Sequence, residues 1–312
     1  MFKKFMIAAS ALALSACATT TPEPVAEFDP TGPAMWVMQD DDTTIYLFGT
    51  VHILPEDTMW LHPTVQNALA SSDQYVSEID TSVIPDYDPA SGQAPPTEIM
   101  EIAQMQIALA TLQGGQTLRQ LMEEDDRAEY EEAMTSLGLP VNAFDQFEPW
   151  FASMGMMQVA MQRAGLDPSD GVERVLDNMV EGKARHAFET VEMQMQFFDS
   201  MPMQSQLDFL DEGVEQLDEF NSPDNLFSRM VAEWTAGDPD GLAEIMNEGM
   251  DDEAIYTILL SNRNARWAEW LDARMDQPGT VFVAVGAGHL GGRDSVQDYL
   301  EARGFDVERV RY

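Results

Sequence analysis

Short apolar runs lie near the two ends of the chain, and a helical period of apolar positions fills most of the length between them. Residues 34–38 and 44–48 flank an acidic turn, which predicts a β-hairpin. Further strands are predicted over residues 74–79, 186–190, 280–285 and 305–310. Helices are predicted over residues 63–71, 97–164, 171–181, 191–220, 226–275 and 294–303, with a break near Gly237. The pattern predicts an α/β (α+β) domain over residues 34–312, in which N- and C-terminal strands complete a mixed central sheet around a helical insertion.

The first 33 residues differ from the rest. Lys3 and Lys4 precede an apolar stretch over residues 5–14 that is too short to span a bilayer, and the motif LSAC then ends in Cys17. This order predicts a signal peptide over residues 1–16 and lipidation of Cys17. The alternative is an ordinary secretory signal with a chance cysteine. Residues 17–33, which begin with Cys17 and are rich in Thr, Pro and Glu, are predicted to be a flexible tether.

The expected location follows from this anchor. We expect a protein that is attached to a membrane by lipid and faces the periplasm. Because Ala18 rather than Asp follows the cysteine, resemblance to Gram-negative lipoproteins indicates the outer membrane. No later segment is long and apolar enough to predict a membrane-spanning helix.

Composition narrows the classes of partner. The formal charge of -39 makes nucleic acid and other polyanions unfavourable partners. A single cysteine excludes a disulfide framework. The 22 methionines include several at helical spacing, such as Met154, Met156, Met157 and Met161, which indicates core filling. A metal-binding methionine cluster is the alternative, since thioethers select Cu(I). The oligomeric state stays open.

Two histidines follow predicted strands in the same local setting. Residues 45–48 lead into Gly49 and then His52, and residues 281–285 lead into Gly286 and then His289. Ligands in open α/β sheets bind beyond the carboxyl ends of the strands. If the two strands are neighbours, both imidazoles belong to one pocket.

Two carboxylates stand at matching strand ends. Glu78 closes one predicted strand and Glu189 closes another. Together with His52 and His289 they form a ligand set for Zn²⁺, Mn²⁺ or a similar divalent ion, and a glutamate outside the ligand set could be a general base. The alternative is that these polar residues lie where strands meet solvent.

Other motifs are given structural interpretations. The G-x-G-x-x-G pattern from Gly286 to Gly291 matches a dinucleotide fingerprint, but too few residues follow it to complete a mononucleotide-binding unit. His62 is predicted to cap the helix that begins at Pro63. His186 is predicted to be structural.

Segments at both ends of the chain resemble the TraB/GumN family. The opening segments are PAMW at 33–36, TIYLFGTVH at 44–52, Trp60-Leu61 and Glu78, and the closing segment is VGAGHLGG at 285–292 with Ser295-Val296 and Gly304-Phe305 after it. Between them, Asn262-Arg263-Asn264 is similar to an Arg-Asn element of the family, and Gly182-Lys183 leading to Glu189-Thr190 is similar to a middle motif. Residues 185–188 depart from the family pattern before Glu189.

This resemblance implies a fold and a set of roles. It implies a mixed sheet shared with erythromycin-esterase-like and haem-binding ChaN-like proteins, and a metal-dependent peptidase as in the animal Tiki branch. His52 and His289 would then bind a divalent ion such as Zn²⁺, Mn²⁺ or Co²⁺. Glu78 would be a ligand or base, and Arg263 a clamp for an oxyanion or a substrate carboxylate. The alternative for Arg263 is a surface or packing arginine on a helix.

Three functions are therefore compared. The leading hypothesis is an extracytoplasmic metal-dependent hydrolase, a peptidase acting on a peptide or protein substrate. The second is a non-catalytic lipoprotein that binds and sequesters a peptide or haem. The third is metal-free esterase chemistry with His52 or His289 as base.

Overall fold

A computed structural model describes residues 32–55, 58–85, 87, 91–166, 171–219, 225–247 and 252–312. The predicted signal peptide, Cys17 and nearly all of the predicted tether lie outside the described residues. Within these described ranges, no helix is both long and apolar enough to cross a membrane.

The central sheet has six strands in the order β4-β3-β5-β2-β1-β6. The strands are β1 (Met35–Gln39), β2 (Thr43–Thr50), β3 (Gln74–Ile79), β4 (Ala184–Glu189), β5 (Gly279–Gly286) and β6 (Glu308–Arg309). β1 is antiparallel to both β2 and β6, whereas β2, β5, β3 and β4 run parallel to one another. This arrangement confirms the predicted mixed sheet, with strands from both ends of the chain.

The predicted hairpin forms, but the last strand is shorter than predicted. Met35 pairs with Phe48 and Gln39 with Thr44 across an antiparallel ladder. The predicted strand over residues 305–310 is confirmed only for Glu308–Arg309. Phe305, the first residue of the predicted strand, instead bonds back to the preceding helix: the Phe305 N–H donates to the Leu300 carbonyl over 3.2 Å.

The helices follow the predicted regions with additional breaks. They are α1 (Pro63–Ser71), α2 (Thr97–Ala110), α3 (Leu118–Leu121), α4 (Glu124–Ser136), α5 (Pro149–Arg163), α6 (Val172–Met179), α7 (Val191–Asp199), α8 (Met203–Glu219), α9 (Leu226–Ala236), α10 (Pro239–Asn247), α11 (Glu253–Tyr256), α12 (Asn262–Met275) and α13 (Val296–Ala302). The predicted single helix over 191–220 is wrong, since Pro202 has no N–H to continue the ladder and separates α7 from α8. Gly237, at φ 70°, ends α9 as predicted.

Two layers of helices cover the sheet, and the insertion has cores of its own. On one face, α12 and α13 bury Trp267, Leu271 and Leu300 against β2, β3 and β5. On the other face, α1, α6, α9 and α10 pack on a second cluster that includes Phe48 and Phe282. The insertion packs around separate clusters: α3, α4, α5 and α8 share one, and α2, α5, α7 and α11 share another. The predicted helical insertion is confirmed.

Candidate functional site

The parallel strands bring the predicted site residues to one edge of the sheet. β2 and β5 are adjacent over their full length, from Thr43 opposite Gly279 to Thr50 opposite Gly286. The loops that carry His52 and His289 therefore leave the sheet side by side. β3 lies on the other side of β5, and β4 lies beyond β3. Glu78 and Glu189, near the carboxyl ends of β3 and β4, reach the same edge.

Arg263 lies at the centre of a buried cluster and uses all five of its N–H donors within the protein. Its Nε donates to Glu189 Oε1 over 2.9 Å, and Nη2 donates to Glu189 Oε2 and Glu78 Oε2, each over 2.8 Å. Its Nη1 donates to the Leu259 carbonyl over 2.9 Å and to His289 Nε2 over 3.0 Å. A guanidinium has five donors in a fixed fork. None is left for a substrate.

The surroundings of Arg263 explain its fixed position. It lies in the first turn of α12, directly after a π-helix over Thr257–Ser261 that presents the Leu259 carbonyl. The guanidinium carbon lies 4.9 Å from the ring centroid of Trp267 and 5.5 Å from that of Phe197. Burial alone would lower the pKa of Arg263, but its two carboxylate partners outweigh burial and raise it. In this arrangement Arg263 holds other site residues in place, and its role as a clamp for an oxyanion or substrate carboxylate stays a prediction.

Glu189 is saturated by donors. Its Oε1 accepts from Arg263 and, over 3.1 Å, from Trp267 Nε1. Its Oε2 accepts from Arg263 and, over 3.0 Å, from Gln194 Nε2. Only 1% of the side chain is exposed. Glu189 is thus a structural anchor for Arg263, and neither oxygen faces open space.

His289 is buried and neutral. Its Nδ1 lies 2.6 Å from Asn264 Oδ1, and the amide nitrogen of Asn264 donates to the Asp294 carbonyl over 2.8 Å. This chain orients the Asn264 oxygen toward the ring, so Nδ1 carries the proton and Nε2 accepts from Arg263. Burial lowers the pKa of His289 to about 3. The ring therefore stays uncharged at neutral pH.

Glu78 lies between the buried cluster around Arg263 and a solvent-accessible cavity. Its Oε1 accepts from the Gly286 N–H over 2.6 Å, and Oε2 accepts from Arg263 and, over 3.1 Å, from Gln194. Burial raises the pKa of Glu78, but the charge of Arg263, the nearby His52 and the Gly286 N–H outweigh burial and lower it. The side chain, 15% exposed, also lines the cavity described below. Glu78 is therefore a fixed negative charge at the cavity wall.

His52 is on the open side of the site and has a different partner. Its Nδ1 lies 2.8 Å from Glu173 Oε1, and its side chain is 76% exposed. Glu173 is in the first turn of α6, whose start is fixed because the Val172 N–H donates to the Val51 carbonyl over 3.1 Å. The contact with Glu173, with a further contribution from Glu78, raises the pKa of His52. Its Nε2 has no hydrogen-bond partner among the described residues.

A cavity of about 650 Å³ opens between these groups. His52, Glu78 and Glu173 line one part of it, and an ion pair between Asp177 and Arg185 lines another. Its volume is within the range of small-ligand sites in proteins. The arrangement offers one accessible imidazole, oriented by a carboxylate and next to a permanently ionised glutamate.

The four predicted metal ligands do not converge on one point. Glu78, Glu189 and His289 surround Arg263, so a cation already occupies the position between them. His52 faces away toward Glu173. Among the described residues, no three His, Cys, Asp or Glu side chains are arranged to hold a metal ion. The side chains do not fit a four-ligand site in this arrangement, and the divalent ion itself stays a prediction.

Comparison with known proteins identifies the family. The family model of the TraB/PrgY/gumN family matches residues 34–309. The chain belongs to this family. A protein of Treponema pallidum (strain Nichols), named only as uncharacterized, is 20% identical over 282 residues, which cover 86% of this chain and 80% of that protein. No solved structure matches the chain. The TraB/PrgY/gumN match spans nearly all of the described domain, which confirms the resemblance expected from the two end motifs.

In this TraB/PrgY/gumN family member, sequence analysis missed three partners of the site. Glu173 orients His52, Gln194 bridges Glu78 and Glu189, and Trp267 donates to Glu189. Each lies on a helix that reaches the site only through tertiary packing, and none has a sequence signal that singles it out. His62 caps α1 by accepting from the Thr64 N–H over 3.1 Å, as predicted.

Proposed function

We propose that this protein is a hydrolase whose reaction takes place in the cavity beside His52, Glu78 and Glu173. The observation that carries the proposal is the 2.8 Å pair of the exposed His52 imidazole with Glu173, next to the ionised Glu78. An imidazole with one nitrogen on a carboxylate and the other directed to open space is the arrangement of a general base. The substrate class is a peptide or ester that fits a cavity of about 650 Å³.

The chemistry follows from the two nitrogens of His52. With Nδ1 in contact with Glu173 Oε1, a deprotonated Nε2 can take a proton from a water molecule as the water oxygen attacks the substrate carbonyl carbon. The resulting imidazolium is stabilised by Glu173 and by the nearby negative charge of Glu78. The imidazolium then returns the proton to the departing amine or alcohol, so that the base is regenerated. The buried cluster around Arg263 keeps Glu78 in place during these steps.

A metal-dependent peptidase is the second candidate. Histidine ligands in metal sites bond a carboxylate through the ring nitrogen that does not bind the metal, which the His52–Glu173 pair reproduces. His52 Nε2 and Glu78 would then hold a Zn²⁺, Mn²⁺ or Co²⁺ ion that supplies an activated water. This reaction would be abolished by a chelator, whereas general-base catalysis by His52 alone would not.

Retention without cleavage is the third candidate. In that case the same cavity would sequester a peptide or haem, and His52 would contact the ligand. For all three candidates we propose that Cys17 carries a lipid, so that the domain acts in the periplasm at the outer membrane. A chain with an excess of 39 negative charges would repel anionic substrates in that compartment.

The experiment is a cleavage screen of peptide and ester libraries by the full chain, with and without EDTA. The variant is His52→Ala, and the matched control is His186→Ala, because His186 stacks on Trp270 at 4.6 Å as a structural residue. We expect cleavage that survives EDTA, falls about 100-fold or more in His52→Ala and is kept in His186→Ala. Loss of cleavage with EDTA would favour the metal-dependent candidate. Bound but uncleaved library members would favour sequestration.

A further inference from the structure

A second cavity is lined by several methionines, whereas the first is lined by His52, Glu78 and Glu173. Met154, Met157 and Met161 lie on α5 at spacings of three and four residues, which places them along one side of the helix. Met246 on α10 reaches the same cavity, whose volume is about 350 Å³. Four thioether side chains from two helices therefore line the same cavity. The rest of its lining includes both polar and apolar residues.

These methionines are less buried than those at the centre of the core. Met156 on the same helix is 1% exposed and packs with Leu118 and Tyr130 in the insertion core. In contrast, Met154 is 37% exposed, and Met157 and Met161 are only partly buried. Core filling explains Met156. It explains Met157 only in part, since Met157 packs against the same core but also lines the cavity, and it does not explain Met154 and Met161 on the cavity wall.

The surrounding backbone fixes part of this cavity. Met246 packs so closely on Gly288 that a Cβ at that glycine would lie 2.8 Å from the sulfur and 2.5 Å from the terminal methyl. α5 and α8 also approach closely, since a Cβ at Gly213 would lie 2.5 Å from the Ser153 hydroxyl. Met246 is therefore confined, while the α5 methionines keep the flexible side chains that allow several sulfurs to turn toward one point.

We propose that this cavity is a binding site for one Cu(I) ion, held by the thioether sulfurs of Met154, Met157 and Met161 with Met246 as a further ligand. Thioethers are soft ligands and select Cu(I) over Zn²⁺, Mn²⁺ or Mg²⁺. The site needs no thiolate or imidazole and does not involve His52, so it is independent of the proposed hydrolase. The formal charge of -39 favours any cation over an anion.

The test is an anaerobic titration of the full chain with Cu(I) against the chromogenic chelator bicinchoninate. All chains carry Cys17→Ser, which removes the only thiol in the sequence. The site variant is Met154→Leu with Met157→Leu and Met161→Leu. The control variant is Met100→Leu with Met179→Leu and Met203→Leu, three methionines exposed elsewhere. Leucine keeps the apolar volume, and circular dichroism checks that each chain is folded.

We expect the parent and control chains to remove one equivalent of Cu(I) from bicinchoninate. The site variant should bind at least about 100-fold more weakly, since losing ligands costs more than the roughly 10- to 100-fold lost with second-shell partners. His52→Ala should keep full affinity. Sulfur-only coordination in X-ray absorption would support the site. A folded parent chain that takes no Cu(I), a site variant with unchanged affinity, or loss of Cu(I) in His52→Ala would overturn the proposal.

Discussion

Arg263 links the two carboxylates and His289 in the buried part of the site. It spans Glu189, Glu78 and His289 with hydrogen bonds of 2.8 to 3.0 Å. Only 8% of the residue is exposed. Two buried carboxylates with one guanidinium leave one excess negative charge, which the N–H groups of Gln194, Trp267 and Gly286 help to stabilise. The geometry of Glu78 at the cavity wall therefore depends on a buried residue whose donors are all used within the protein.

Removing this cation should destabilise the whole fold. Arg263→Met leaves Glu189 and Glu78 buried without their charged partner, which typically costs about 3–5 kcal/mol in free energy of unfolding. The control is Arg303→Met, because the Arg303–Asp272 pair is largely exposed and should contribute about 0–1 kcal/mol. Urea denaturation measures both. Equal losses for the two variants would contradict the central position of Arg263.

His289 should make the protein sensitive to mild acid. The unfolded imidazole takes up a proton below a pKa of about 6.5, whereas the folded ring does not until the pH is far lower. Stability is thus lost as pH falls from about 6.5, by roughly 1 kcal/mol per pH unit. His289→Gln removes this contribution, so its free energy of unfolding should fall less steeply between about pH 6.5 and 5. Parallel slopes in urea titrations of the two proteins would contradict a neutral, buried His289.

At the scale of elements, the loop after β5 is shaped by close approaches that only glycine allows. A Cβ on Gly291 would lie 2.3 Å from the backbone carbonyl of Pro239 at the start of α10. At Gly288, three residues earlier, the nearest atoms belong to the flexible end of Met246. The same substitution should therefore have different costs at these two positions.

Gly291→Ala should destabilise the protein by about 1–3 kcal/mol, because two backbones must move apart. Gly288→Ala should cost clearly less, since a methionine side chain can rotate away. Thermal or urea unfolding of the two variants compares them directly. If Gly291→Ala is as mild as Gly288→Ala, then α10 does not pack on this loop as described.

How much the sequence predicts depends on whether a feature is local. Strand positions, the two Gly-x-x-His loops and the cap at His62 are set by short patterns, and the structure has them as predicted, except that strand ends shift by one or two residues and the last strand is shorter. The direction of His52 was not predictable, because it depends on Glu173, more than a hundred residues away. Likewise, the apolar pattern along the sequence predicts that Arg263 lies on a helix. It does not reveal that the N–H groups of Arg263 donate to Glu189 and Glu78. Those contacts exist only after α12 packs on the sheet.

At the scale of the whole molecule, the site belongs to the sheet and the insertion folds around its own clusters. The helices α2 to α5 and α8 bury their apolar residues mainly among themselves. The proposed hydrolase site uses the sheet edge, α6, α7 and α12, whereas the methionine cavity uses α5, α8 and α10. The two proposed sites can therefore be tested separately.

The proposed anchor gives a prediction for the complete chain. If Cys17 is lipidated, the full chain should sediment with membranes and be released by detergent. Cys17→Ser should instead be recovered in the soluble fraction, with the same unfolding midpoint, since Cys17 precedes the described domain. Fractionation followed by immunoblotting measures this. A wild-type chain that is soluble without detergent would contradict lipid anchoring.

The most direct test of the account is the pH dependence of hydrolysis by the wild-type chain and Glu173→Gln. If His52 is the base, the rate should rise with pH as its imidazole loses a proton. In the wild type this rise should lie above the ordinary histidine pKa of about 6.5, because Glu173 raises the pKa of His52. In Glu173→Gln it should move down toward about 6.5, with a lower plateau, because the ring is no longer oriented. A rise at the same pH in both proteins would contradict His52 as the base.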